Sequence, residues 1–84
     1  NSALAAQVDT SSAGLVQVQA QYRTALAEHE KARIDLRRRE SAAPSGAVSG
    51  EELTQARKAY ATTLAALDAA RGAIDQAGAS RRAA

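Results

Sequence analysis

The chain has 84 residues, 45% of them hydrophobic, with a formal net charge of +2 and no Cys, Met, Trp or Phe. This composition excludes a disulfide framework and a large globular core. The charges are mixed in sign and do not by themselves indicate a nucleic-acid partner, and no apolar run approaches the roughly 18 residues of a membrane-spanning helix.

Apolar and small side chains recur at steps of three and four through the first half of the chain. Because an α-helix turns every 3.6 residues, this spacing places them on one stripe, the pattern of a coiled-coil seam. We predict a continuous first helix from about residue 2 to about residue 42, because the early seam residues stay in phase with the later ones. The alternative is a later start, capped at Ser11 or Ser12, since the stretch 9–14 is a weak helix former. The predicted seam consists of Leu4, Val8, Ser11, Leu15, Val18, Tyr22, Ala25, His29, Ala32 and Leu36.

A strong stop signal follows at residues 43–49. Pro44 disfavours a helical conformation in the residue before it, and Gly46 accepts the positive φ that a chain reversal needs. Ser49 and Glu52 have the spacing of a capping box, in which the Ser hydroxyl accepts the N–H of Glu52 and the Glu carboxylate accepts the N–H of Ser49. We therefore predict a turn at 43–49 and a helix cap formed by Ser49 and Glu52.

A second helix is predicted from about residue 50 to about residue 78, and the residues from Gly78 onward are expected to fray. Its apolar stripe again has steps of three and four. The fold class that follows is all-α, an antiparallel two-helix coiled-coil hairpin. The second seam consists of Leu53, Ala56, Tyr60, Thr63, Leu67, Ala70, Ile74 and Ala77.

The two seams also predict a register. If the chain reverses near Gly46, facing residues have numbers that add to about 92. Five of six layers then pair a large side chain with an alanine, which lets the helix backbones approach closely. A reversal nearer Pro44 would shift this register by a few residues. The predicted layers are Leu36 with Ala56, Ala32 with Tyr60, Ala25 with Leu67, Tyr22 with Ala70, Val18 with Ile74, and Leu15 with Ala77.

Catalytic chemistry has little support in the sequence. His29 is the single histidine and falls on the seam, where a polar layer that fixes the register is the simplest role. Glu51 and Glu52 are adjacent on a helix and point about 100° apart, which does not suit a catalytic pair. Without Cys or a second His, neither a metal site nor a nucleophile–base pair can be assembled. We expect no enzyme activity, no metal and no cofactor.

Basic residues concentrate near the predicted turn. One interpretation is a solvated helix end, because cations are favoured at a helix C-terminus. The other is a docking tip for an acidic or carbonyl-rich protein surface. Nucleic-acid binding is less favoured, because the arginines lack an accompanying aromatic residue to stack on bases. The basic group consists of Arg33, Arg37, Arg38, Arg39, Arg57 and Lys58.

The stretch from Asp35 to Arg57 resembles the hairpin tip of periplasmic adaptor subunits, also called membrane fusion proteins, of tripartite efflux pumps and type I secretion systems. It is most similar to the EmrA-like and HlyD-like branches. The specific part is the run Ser-Gly-Ala-Val-Ser-x-x-Glu-Leu-x-x-Ala at 45–56, and the alanine-rich heptads extend the resemblance over nearly the whole chain.

The resemblance implies a docking tip. The family pattern has an arginine, a leucine four residues later and a serine seven residues beyond the leucine. Arg38 and Ser49 hold the first and last positions, and Ala42 replaces the leucine. Val48 is then expected to supply the apolar part of the contact, and Arg39 to add hydrogen bonds.

The resemblance also implies partners and a location. The tip would dock on a TolC-like outer-membrane channel, copies of the hairpin would associate side by side as a homo-oligomer, and domains absent from this sequence would meet an inner-membrane transporter. Since the first residue is not Met, we expect a segment of a longer protein. The resemblance implies that this protein is periplasmic and anchored to the inner membrane. The segment itself is expected neither to insert into the membrane nor to bind nucleic acid. The alternative function is a basic coiled-coil arm that binds RNA.

Overall fold

The computed structural model describes the backbone of residues 2–83 and the side chains of residues 2–6 and 12–79. Helix α1 spans Ser2–Ala42, a single turn of 3₁₀ helix spans Ala43–Ser45, and helix α2 spans Gly50–Ala83. The described residues form no strand, and the two helices pack against each other along a rod of 68 × 14 × 13 Å. The predicted fold class, an antiparallel two-helix hairpin, is confirmed.

The end of α2 differs from the sequence-based expectation. The helix continues through Gly78 to Ala83, whereas fraying was expected from Gly78. Ala77 and Gly78 are half-buried in the hairpin, so packing supports the helix at this point. A glycine inside a helix costs only about 0.5–1 kcal/mol relative to alanine, and a helix already propagating can absorb that cost.

Within the described residues, burial is deepest along the two seams. His29, Ala32, Ala56 and Leu67 are buried. The other seam residues between 15 and 77 are half-buried. The side chains of Val8 and Ser11 lie outside the described part of the chain. Leu4 was expected in the seam but is 53% exposed. This is because in this register it lies farther from the turn than the last residues of α2.

Three contacts between the helices fix their register. Nδ1 of His29 lies 3.0 Å from Oγ1 of Thr63, and Nη1 of Arg39 lies 3.6 Å from Oε2 of Glu52. The ring centroids of His29 and Tyr60 are 4.8 Å apart. These contacts agree with the register in which facing residue numbers add to about 92.

Candidate functional site: the hairpin tip

The tip of the hairpin is a tightly bonded reversal. Gly46 has φ 81° and is the single described residue with positive φ, a conformation that side chains with a Cβ disfavour. Its N–H donates to the carbonyl of Ala43 at 3.0 Å, and the Ser45 hydroxyl donates to the carbonyl of Ala42 at 2.7 Å. These bonds satisfy carbonyl groups that the end of α1 would otherwise leave unpaired.

The start of α2 is capped by Ser49. Its Oγ accepts the N–H of Glu52 at 3.1 Å, and its carbonyl accepts the N–H of Leu53 at 3.1 Å. The reciprocal bond of the predicted capping box is not formed within the described part of the chain. The Glu52 carboxylate turns instead toward Arg39 on α1, so the cap is one-sided and the carboxylate links the two helices.

Arg39 is held within the hairpin. Its Nε donates to Oδ2 of Asp35 at 3.0 Å, and its Nη1 lies 3.6 Å from Glu52. Its side chain is 35% exposed. A guanidinium engaged by two carboxylates has fewer donors left for another protein, so Arg39 acts first as a clasp that joins α1 to α2 below the turn.

Arg38 has the opposite environment. It is exposed and, among the described residues, makes no ion pair. Its five N–H donors are therefore available to a partner. Of the two arginines that the sequence places at the tip, Arg38 is the one without an ion-pair partner among the described residues.

The end of the rod is small and only weakly apolar. The residues from Pro44 to Ala47 are exposed, as is Ser49, while Val48 and Ala42 are half-buried. Since the Ser49 hydroxyl already accepts the bond that caps α2, its remaining capacity is its own hydrogen and one lone pair. The tip thus presents a compact, bonded backbone with one partly accessible valine.

The remaining basic residues surround the rod below the tip. Arg33 is paired with Glu30, and this hydrogen bond lowers the pKa of Glu30 and raises the pKa of Arg33. Arg37, Arg57 and Lys58 are exposed. Their charges cover several sides of the rod and do not form one groove.

The aromatic residue that lies closest to these arginines is committed to the seam. Tyr60 is half-buried and its ring packs on His29. A stacking platform for bases needs an open aromatic face beside the cations. The described residues do not offer that combination, so the geometry does not favour RNA binding.

The seam histidine has a structural environment. The Thr63 hydroxyl has a single hydrogen, which it directs to the carbonyl of Ala59 at 2.8 Å or of Tyr60 at 3.0 Å. Its oxygen then accepts a bond from Nδ1 of His29, which assigns the Nδ1-protonated tautomer. Among the described residues no group of His, Asp and Glu could hold a metal ion.

The sequence analysis missed the cross-hairpin link between Arg39 and Glu52. The signal was available in the predicted register, which brings residue 39 to the height of residue 52. The capping-box spacing assigns the same carboxylate to the Ser49 N–H, so that pattern predicts a different partner for Glu52.

The described residues thus form a slender helical hairpin with a capped reversal at one end. The family model described as "RND MFP, alpha-helical hairpin domain" matches residues 14–80. The chain belongs to this family of membrane fusion proteins. Comparison with curated proteins and with solved structures gave no significant match.

Family membership supports an adaptor role in tripartite efflux. The family is non-catalytic and periplasmic, and it works in general with an outer-membrane channel and an inner-membrane transporter. No helix within residues 2–83 is both long enough and apolar enough to cross a membrane. The EmrA-like or HlyD-like branch stays a prediction.

Proposed function

We propose that this hairpin is the periplasmic spacer of an adaptor that bridges an inner-membrane transporter and a TolC-like outer-membrane channel. In this proposal the tip docks on the end of the channel and copies of the hairpin stand side by side. The role is geometric. A rod 68 Å long and about 14 Å wide spans distance, and its stiffness comes from two continuous helices.

The observation that supports the docking proposal is the difference in environment between two adjacent arginines. Arg39 binds Asp35 and lies against Glu52 inside the hairpin, which holds the two helix ends together. Arg38 is left exposed next to a fixed reversal. A channel end built from helices exposes unpaired carbonyl oxygens, and a free guanidinium can donate to several of them.

Val48 and Ser49 complete the proposed contact. Val48 is half-buried, so part of its side chain would pack on an apolar patch of the channel. The hydroxyl hydrogen of Ser49 would donate to a carbonyl while its oxygen keeps the cap on α2. Ala42 adds little apolar area at the position where the family pattern has leucine.

The test is the substitution Arg38→Glu in the full chain, with binding to the purified channel as the readout. Losing a charge-assisted hydrogen bond costs about 1.5–3 kcal/mol, so affinity is expected to fall by about 10- to 100-fold. The matched control is Lys58→Glu, an equal charge change at an exposed residue farther from the turn.

Helix content, measured by circular dichroism, should stay constant in both variants. Unchanged channel binding by Arg38→Glu would contradict the proposal. An equal loss in both variants would mean diffuse electrostatic attraction and would also contradict it.

A further inference from the structure

Outside the tip, the hairpin has two long flanks, one on each side of the seam. In each helix, the seam is bordered on one side by the residues that directly follow a seam pair and on the other side by those that directly precede one. In an antiparallel pair, like positions of the two helices lie on the same side, so each flank is formed by both helices. Two contacts agree with this assignment. Arg39 meets Glu52 on one flank. On the other, the Arg71 guanidinium donates to the Tyr22 hydroxyl, which raises the pKa of Arg71.

The first flank, which we call the leucine flank, combines exposed apolar and basic side chains. Leu26 is 43% exposed and Leu64 is 38% exposed. The register places these two leucines at nearly the same height on neighbouring helices, so they form one apolar patch. Arg33, Arg57 and Arg71 lie on the same flank above and below the patch, and Glu40 lies on it nearer the tip. Arg33 is already paired with Glu30.

The second flank, which we call the acidic flank, carries Glu28 and Asp35 on α1 and Glu52 on α2. Between the helices lies an open groove of about 880 Å³ whose lining includes Glu28, Asp35, Ala59 and Thr63. Every charged residue at the positions that border the seam on this flank is acidic. Two cations, Lys31 and Arg38, also line the groove from positions farther round α1, and Arg39 lies between Asp35 and Glu52.

We propose that the two flanks are complementary halves of one contact, in which a second copy of this chain seats its leucine flank on the acidic flank. This inference rests on the proposed function, because it specifies how sister hairpins stand side by side. The partner is a second copy because the two flanks have opposite net charge: arginines outnumber Glu40 on the leucine flank, and carboxylates outnumber Arg39 on the acidic flank.

The distances of the charged residues from the tip determine whether the second copy points the same way as the first. In the register of the hairpin, Arg57 and Asp35 lie at the same distance from the tip but on opposite flanks. Two copies with their tips pointing the same way therefore bring Arg57 of one beside Asp35 of the next. Arg57 makes no ion pair among the described residues, and Asp35 uses Oδ2 for Arg39, which leaves its other oxygen.

The same alignment places the leucine patch against the groove. Leu26 comes to the height of Ala66, and Leu64 to the height of Glu28, whose aliphatic stem can cover it. Because unlike flanks meet, the contact is heterologous, and repetition produces a ring or an open array instead of a closed pair.

The chain contains no cysteine, so cross-linking can test the contact without background from this segment. Gln19 lies on the leucine flank and Ala73 on the acidic flank at the same height, and neither takes part in the proposed ion pairs. Within one hairpin they lie on opposite sides of the seam, too far apart for a disulfide. Full chains carrying Gln19→Cys and full chains carrying Ala73→Cys are mixed and oxidised.

The expected product is a mixed disulfide between the two variants. Adding Arg57→Glu to the Gln19→Cys chain should reduce its yield by about fivefold or more, and Asp35→Lys in the Ala73→Cys chain should restore it, because exposed charge pairs mainly set orientation and association rate. High salt should also reduce the yield.

Two results would overturn the proposal. Disulfides only between two Gln19→Cys chains, or only between two Ala73→Cys chains, would mean that like flanks meet. If no interchain disulfide forms while channel binding persists, the flank contact is contradicted and the docking proposal is not. Conversely, mixed disulfides in a chain that binds no channel would support the flank contact and contradict the docking function.

Discussion

At the scale of single residues, some side chains of the tip are used in bonds within the hairpin and others stay exposed. Gly46 supplies the positive φ, Ser49 caps α2, and Arg39 clasps the helices. Each of these can be argued from a bond or an angle. What remains accessible for a partner is Arg38, part of Val48 and the turn backbone.

The turn conformation gives a prediction with an internal control. Gly46→Ala is expected to destabilise the hairpin by about 1–2 kcal/mol, because alanine disfavours φ 81°. Gly72→Ala is the same substitution inside α2, where an added Cβ meets nothing within 4 Å, and should stabilise by about 0.5–1 kcal/mol. Urea unfolding of both variants measures the difference, and changes of the same sign would contradict the assigned turn.

The alanine at the leucine position of the family pattern gives a second prediction. Ala42→Leu adds apolar area beside the turn, at a half-buried residue on the rim of the tip. If the tip docks as proposed, channel affinity should rise by about 5- to 30-fold, since burying the added methylene groups is worth about 1–2 kcal/mol. The same substitution at exposed Ala65 on the outer side of α2 is the control, and equal gains at both positions would argue against tip docking.

At the scale of the helices, the polar layer of His29 and Thr63 interrupts a seam in which large side chains alternate with alanines. His29 is 9% exposed, and its Nδ1 bonds to Thr63. A buried polar group that is paired adds little net stability, but leaving it unpaired costs the desolvation of that group. The layer therefore favours the one register in which both groups meet.

This layer yields a third prediction. Thr63→Val should destabilise the hairpin by about 1–3 kcal/mol, because it leaves the buried Nδ1–H of His29 unpaired. Thr62→Val, the identical change at an exposed neighbour, should change stability by about 0.5 kcal/mol or less. Adding His29→Leu to the Thr63→Val variant should recover most of the loss. Equal losses of stability at the two threonines would show that the polar layer does not determine the register of the helices.

The features of the two helices and the turn that depend on residues close together in the chain could be predicted from the sequence. The seams, the stop at Pro44, the positive φ at Gly46 and the Ser49 cap follow from periodicity and turn chemistry within a few residues. The end of α2 and the missing half of the capping box did not follow, because packing against α1 supports Gly78 and Arg39 draws away the Glu52 carboxylate. Those outcomes depend on contacts between residues far apart in the chain.

At the scale of the whole molecule, the hairpin is a rod with three distinct surfaces: a tip, a leucine flank and an acidic flank. The tip could be located from the sequence, because a turn between two heptad helices must form one end of the rod. The flanks could be assigned only once the register was fixed, since a shift of a few residues would rearrange which charges share a height.

The central claim is that the rod meets the channel with its tip. Its most direct test is a photo-cross-linking amino acid placed at Ala47 in the turn or at Ala65 on the outer side of α2, both exposed, in the full chain in cells. Our account predicts that the TolC-like channel is captured from position 47 and not from position 65. Capture of the channel from position 65 alone, or from neither position, would contradict it.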